Sequence, residues 1–140
     1  MIVIDACIGV KWFLDEAGSE AAVKLLVAER DHITGPELFA VEVAATLVRE
    51  ANARKPLADD MRLALTRLTA LFGSGAISLN RMTPQNIADA GLLAIDLGHP
   101  LKDCIYLALA MQLECPLVTA DARFAAKARN VYADVRVLGA

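Results

Sequence analysis

MIVIDACIGVKW, residues 1–12, is the stretch that decides the fold. Ile2, Val3 and Ile4 run without polar interruption and stop at a carboxylate, Asp5. An unbroken apolar run followed by a turn marks a strand covered on both faces, as strands of a parallel sheet are. A carboxylate at its end is costly to bury unless something pairs with it. Working outward, short β-branched runs recur at 32–34, 76–79, 117–119 and 135–138, giving about five strands. Helical patterns lie between them: 19–30, opened by Ser19 and Glu20; 36–54, with Pro36 in the first position; and 58–72. A further helix is opened by Thr83-Pro84 and stopped by Gly98 and Pro100, and two more cover 103–113 and 121–129. Strands separated by helices, with no two-residue hairpin signal, imply right-handed crossovers. The expected class is α/β, a three-layer α/β/α sandwich with a central parallel sheet.

The 140 residues suit one domain, 1–140, large enough to bury roughly 70% of its unfolded surface. Hydrophobic residues make up 56% and charged residues 22%, richer in apolar content than an ordinary soluble domain. No apolar run approaches the roughly 18 residues of a membrane span, and no basic segment precedes an apolar one at the N-terminus. A cytoplasmic protein with no membrane role is expected. Cys7, Cys104 and Cys115 are odd in number and include no C-x-x-C pair, so neither a disulfide framework nor a zinc site is indicated. A net charge of −3 excludes a surface that grips nucleic acid by bulk electrostatics, so any polyanion must be bound locally.

Asp5 stands at the carboxyl end of a strand, where ligands bind in open α/β sheets. Three other carboxylates join it. In LFAVEVAATLV, 38–48, Glu42 is the single charged side chain, with Leu38, Val41 and Ala45 on its helical face. Asp103 opens the apolar stretch CIYLALAM, and Asp121 follows LVTA at a strand-to-helix junction. Singly, each has a plain structural reading: Glu42 a rim glutamate snorkelling to water or paired with Arg49, Asp103 a helix-start aspartate, Asp121 an N-cap. Jointly, they share one end of the sheet, which independent capping does not predict. Brought within about 4 Å, each pair would repel by roughly 4 kcal/mol at an effective dielectric of about 20. Such a cluster must take up protons or a cation. Oxygen ligands without a histidine or cysteine set favour Mg²⁺ or Mn²⁺.

These residues carry a resemblance. VIDACIGVKWFLDE, GPELFAVEVAATLVR, LKDCIYLALA and LVTADARFA, in that order, resemble the four acidic motifs of the PIN domain (PilT N-terminus domain). Within that family the chain resembles the VapC-type ribonuclease toxins of bacterial toxin–antitoxin pairs. The resemblance spans residues 2–138. It implies catalytic and metal-holding roles for Asp5, Glu42, Asp103 and Asp121, with Thr119 as the supporting hydroxyl. It also implies Mg²⁺- or Mn²⁺-dependent hydrolysis of RNA, a cognate antitoxin and a homodimer. The chain departs from the family pattern at Cys7, where serine or threonine is usual, and at Thr46, where asparagine is frequent. A thiol is the poorer donor, which bears on the tuning of Asp5.

Lys11, Arg81, Lys102, Arg123 and Lys127 are candidates to touch phosphates, although such residues are more often solvated surface charges. Trp12 and Phe13 could stack on a base, although an aromatic patch after a first turn more often belongs to the core or to a dimer interface. His32 and His99 have no evident ligand partner in the sequence. Two rival readings are a non-catalytic α/β/α module, either a silent PIN domain or a receiver-like phospho-acceptor, and a housekeeping RNA-processing nuclease. A receiver would pair acids after its first strand and end its third in an aspartate. Here Asp5 is single and the third strand approaches Asn80-Arg81.

Overall fold

The structure, a computed structural model, describes residues 1–140. Five strands, β1 (Ile2–Ile4), β2 (Ile33–Pro36), β3 (Ile77–Asn80), β4 (Leu117–Thr119) and β5 (Val135–Val137), form one sheet of order β3-β2-β1-β4-β5. All four pairings are parallel, with Val3 opposite both Thr34 and Leu117. Successive strand residues point to opposite faces. Every residue of β1, β2 and β4 is nevertheless buried. Both faces are therefore covered, and the α/β/α sandwich expected from the apolar runs is the architecture observed.

The covering helices are α1 (Ala6–Val10), α2 (Ser19–Ala28), α3 (Leu38–Ala53), α4 (Ala58–Gly73), α5 (Pro84–Leu97), α6 (Leu101–Leu113) and α7 (Ala122–Ala128). A 3-10 turn at Lys55–Leu57 joins α3 to α4. Helix α1 was not anticipated, because five residues are too few to show a helical period. Pro36, expected to begin a helix, instead ends β2, where its missing N–H leaves the ladder intact at the strand's last position. Gly18 in the left-handed conformation, rather than Ser19, precedes α2. α6 starts at Leu101, which puts Asp103 in its first turn rather than ahead of it.

The chain winds from β1 outward through β2 to β3, then returns to place β4 on the other side of β1. The strand order therefore reverses between β1 and β4, at their carboxyl ends. That crevice is where a doubly wound sheet leaves room for a ligand. No helix is long and apolar enough to cross a membrane.

Candidate active site

Asp5 sits in that crevice as the N-cap of α1, only 3% exposed. Its Oδ1 accepts the backbone N–H of Cys7 at 2.9 Å and also the Cys7 thiol. Burial pushes its carboxyl up from 3.8 to about 6, the charge of Asp103 adds to the rise, and hydrogen bonds from Cys7 and Thr119 oppose it. None of the chain's ion pairs includes Asp5. It is a buried carboxylate for which the protein supplies donors but no cation.

Thr119, fully buried at the end of β4, closes the crevice on the far side. Its Oγ1 lies 3.8 Å from Cys7 Sγ and accepts the N–H of Asp121 at 3.0 Å. Cys7 Sγ in turn accepts the N–H of Ala120 at 3.3 Å. The thiol thus laces the end of β1 to the end of β4, and burial together with the Asp5 charge pushes its pKa far up. Asp121 caps α7 by accepting the N–H of Phe124 at 2.9 Å, with its side chain at the exposed rim. Its expected N-cap role and its place beside the crevice are compatible, since capping occupies one carboxylate oxygen.

The other two acids come from facing helices. Asp103 on α6 is bound by His99 Nε2 at 2.6 Å, so the histidine without an evident partner in sequence has one here. Gly98, in the left-handed conformation, ends α5 and turns the chain so that His99 lands one turn before Asp103. Glu42 on α3 does not pair with Arg49, whose guanidinium reaches Thr46 instead. Its Oε2 accepts the hydroxyl of Tyr106 at 3.0 Å, and its Oε1 faces Lys102 Nζ at 3.7 Å. Tyr106 is fully buried, and its hydroxyl is pushed far up by desolvation and by the charges of Glu42, Asp5 and Asp103. One tyrosine therefore feels three of the four acids. Its signal in the sequence was a tyrosine inside the apolar stretch CIYLALAM, which needs a partner for its hydroxyl.

Cys7, Lys11, Glu16, Thr46 and Asp121 line an open groove of about 420 Å³ beside the crevice. Lys11 Nζ is held there by Glu16 at 3.0 Å and the carbonyl of Ala17 at 2.7 Å. Arg81 lines a different pocket, with Asn80, Met82 and Gln112, and Lys127 is spent on the carbonyl of Gly98 at 3.0 Å. Trp12 packs on Phe39 with centroids 6.0 Å apart and donates to the carbonyl of Ala22, so it belongs to the core.

Tyr106 is hydrogen-bonded to Glu42 and feels the charges of Asp5 and Asp103, whereas Asp121 is tied to Thr119 through its backbone N–H and shares the groove with Cys7. No three of the chain's His, Cys, Asp or Glu side chains are grouped closely enough to enclose a metal ion. The donor set nonetheless fits a hard divalent cation in kind, because it offers carboxylate oxygens and includes a buried Asp5 with no cationic partner. Asp5, whose charge is made costlier by burial and by the Asp103 carboxylate, is the group such an ion would relieve.

A family model of the PIN domain matches residues 2–130. No curated protein matches the chain. Mycobacterium tuberculosis VapC20, a Sarcin-Ricin loop cleaving toxin, superposes with a TM-score of 0.71 at 14% identity, covering 90% of this chain and 94% of that one. A toxin–antitoxin complex from Klebsiella pneumoniae gives 0.64 at 18% identity, over 96% of this chain and 95% of that one. FitAcB from Neisseria gonorrhoeae gives 0.60 at 16% identity, over 99% and 97%. At these identities the likeness is one of fold.

Proposed function

The chain belongs to the PIN domain family, and on that premise we propose that it is a divalent-cation-dependent endoribonuclease of the VapC toxin type, acting in the cytoplasm as one nuclease domain over residues 1–140. The observation that carries the reading is Asp5, a buried carboxylate without an internal cation at the point where the strand order reverses. The superposed toxins and toxin–antitoxin complex support a cognate antitoxin as partner, and the family resemblance adds a homodimer. A silent binding module is disfavoured because all four acids are retained.

In this reading Asp5 and Asp103 would hold Mg²⁺ or Mn²⁺, Glu42 would hold it or orient water, and Asp121 would act from the rim, as an outer contact or toward a second ion. Such an ion, when bound, supplies acidity to water and offsets charge on the phosphate. The protein's own contribution is orientation. His99 fixes Asp103, Tyr106 fixes Glu42, and the Cys7 and Thr119 lacing fixes Asp5 relative to β4. Lys11, which lines the groove, and Lys102, beside Glu42, are cations available to meet RNA phosphates. Cleavage is expected to leave a 5′-phosphate.

The test is induced expression of the wild type against Asp5→Asn and Asp103→Asn, followed by mapping of cut RNA ends. Growth arrest and Mg²⁺-dependent cuts from the wild type alone are expected. Undiminished cleavage by either variant defeats the assignment.

A further inference from the structure

Glu42 is gripped from one side only. Lys102 and Tyr106 are four residues apart on α6 and so share a face, and each takes one oxygen of the same carboxylate. The two grips differ in kind. Tyr106 is fully buried and donates a hydroxyl at 3.0 Å. Lys102 is 69% exposed on a flexible stem and stands 3.7 Å away. Asp103 lies between them in sequence, three residues before Tyr106, so the hydroxyl and the Asp103 carboxylate also share a helix face. The effect is to tie α3 to α6 at the height of the crevice through a single carboxylate, with one buried bond and one solvent-exposed ion pair.

We infer that Tyr106 is the positioning residue for Glu42, and that the Lys102 ammonium occupies on Oε1 the place a divalent cation takes when the site is loaded. This deepens the proposed function and rests on it. The geometry gives the two grips opposite consequences. A hydroxyl that fixes Oε2 leaves Oε1 aimed at a constant place, so its loss lets the carboxylate swing and weakens the site. An ammonium on Oε1 competes with an arriving cation for the same lone pairs, so its loss strengthens the site. Damage to the fold would move both variants in one direction.

The experiment measures Mn²⁺ affinity by titration calorimetry on the full chain, with unfolding midpoints taken in EDTA. Tyr106→Phe keeps the ring and removes one hydroxyl; it should weaken Mn²⁺ binding by roughly 10-fold or more, the usual effect of losing a partner that orients a metal ligand. Lys102→Met should tighten it by about two- to fivefold, the range an exposed ion pair spans. In a Glu42→Ala background Tyr106→Phe should change nothing further, because its effect runs through that carboxylate. Tyr106→Phe binding as tightly as wild type, Lys102→Met binding more weakly, or additive losses in the double variant would overturn the inference while leaving the nuclease reading intact. A wild-type protein that neither binds Mn²⁺ nor cuts RNA would take down both.

Discussion

His99 Nε2 and Asp103 Oδ2 are 2.6 Å apart, across the turn that joins α5 to α6. The imidazole is stacked on Phe124 at a centroid separation of 4.6 Å and an interplanar angle of 22°. Its aim is therefore set by the core and by the backbone turn at Gly98, and Asp103 inherits that aim. His99→Ala should leave Asp103 in place but free to rotate. Turnover of RNA is expected to fall about 10- to 100-fold, with a smaller change in the RNA concentration giving half-maximal rate. His99→Gln, which keeps a donor, should recover part of the loss. Steady-state kinetics at saturating Mg²⁺ checks both, and an alanine variant with wild-type turnover would show that the contact is only structural.

Asp5 makes stability depend on pH in a direction opposite to that of an ion-paired carboxylate. Its folded pKa is raised from 3.8 to about 6, mainly by burial. A group raised in this way favours the folded state in its protonated form. That contribution is complete below the ordinary value and disappears as the pH rises through the folded one. Above about pH 6 the charged form should cost on the order of 3 kcal/mol. Asp5→Asn carries no charge at any pH, so in EDTA it should gain on the wild type steadily between about pH 4 and pH 7. Denaturant unfolding of the two proteins across that window measures the gap. Parallel curves would mean that Asp5 titrates like an exposed aspartate, and added Mg²⁺ should narrow the gap by favouring the carboxylate.

How far the candidate site was legible in the sequence follows from where each partner lies along the chain. Asp5 and Asp121 were legible because strand-to-helix junctions announce themselves locally, by an apolar run that ends in a capping residue. Glu42 was legible because its helix holds no other charge nearby. The partner of Glu42 was not, since Tyr106 lies 64 residues away on a different helix and only the completed fold brings the hydroxyl to the carboxylate. His99 and Asp103 stood at a helical spacing of four, but Gly98 and Pro100 marked the stretch as a break, which hid the turn that makes the spacing count. Pro36 was misread because a proline fits a strand's last position as well as a helix's first. For Glu42, His99 and Pro36 alike, the local signal allowed more than one meaning, and a contact distant in sequence chose between them.

Cys7 should behave as a structural donor rather than a reactive thiol. Desolvation and the neighbouring Asp5 charge push it far above the ordinary thiol range, so little thiolate exists at neutral pH. In the native protein iodoacetamide should label it very slowly near pH 8, which mass spectrometry of quenched samples can follow. Cys7→Ser supplies a hydroxyl to the same Asp5 oxygen and should stay within about threefold of wild-type activity. Both proteins should respond identically to added reductant. Rapid labelling, or activity that collapses without reductant in the wild type alone, would reveal a redox function at this position.

Two helical glycines should respond to alanine with opposite signs. A Cβ on Gly9 of α1 would meet Phe39 Cζ at 2.6 Å and Val43 Cγ2 at 2.8 Å, both on α3. Phe39 cannot yield easily, since it is fully buried and packs on Trp12 and Phe72. Overpacking of this kind costs about 1–3 kcal/mol, against roughly 1 kcal/mol gained from helix propensity. Gly9→Ala should therefore lower the unfolding midpoint. Because Asp5 caps α1 and Val43 adjoins Glu42, pushing the helices apart also moves two candidate site acids relative to each other. Turnover should fall even at a temperature where the variant is fully folded. Gly91 of α5 has nothing within 4 Å of its would-be Cβ. Gly91→Ala should raise stability by about 0.4–1 kcal/mol through the unfolded chain's lost freedom, and leave turnover unchanged. Thermal midpoints paired with turnover at 25 °C separate the two effects; a stabilised or fully active Gly9→Ala would mean that α1 is free to shift on α3, and that the spacing of Asp5 and Glu42 is not set by this contact.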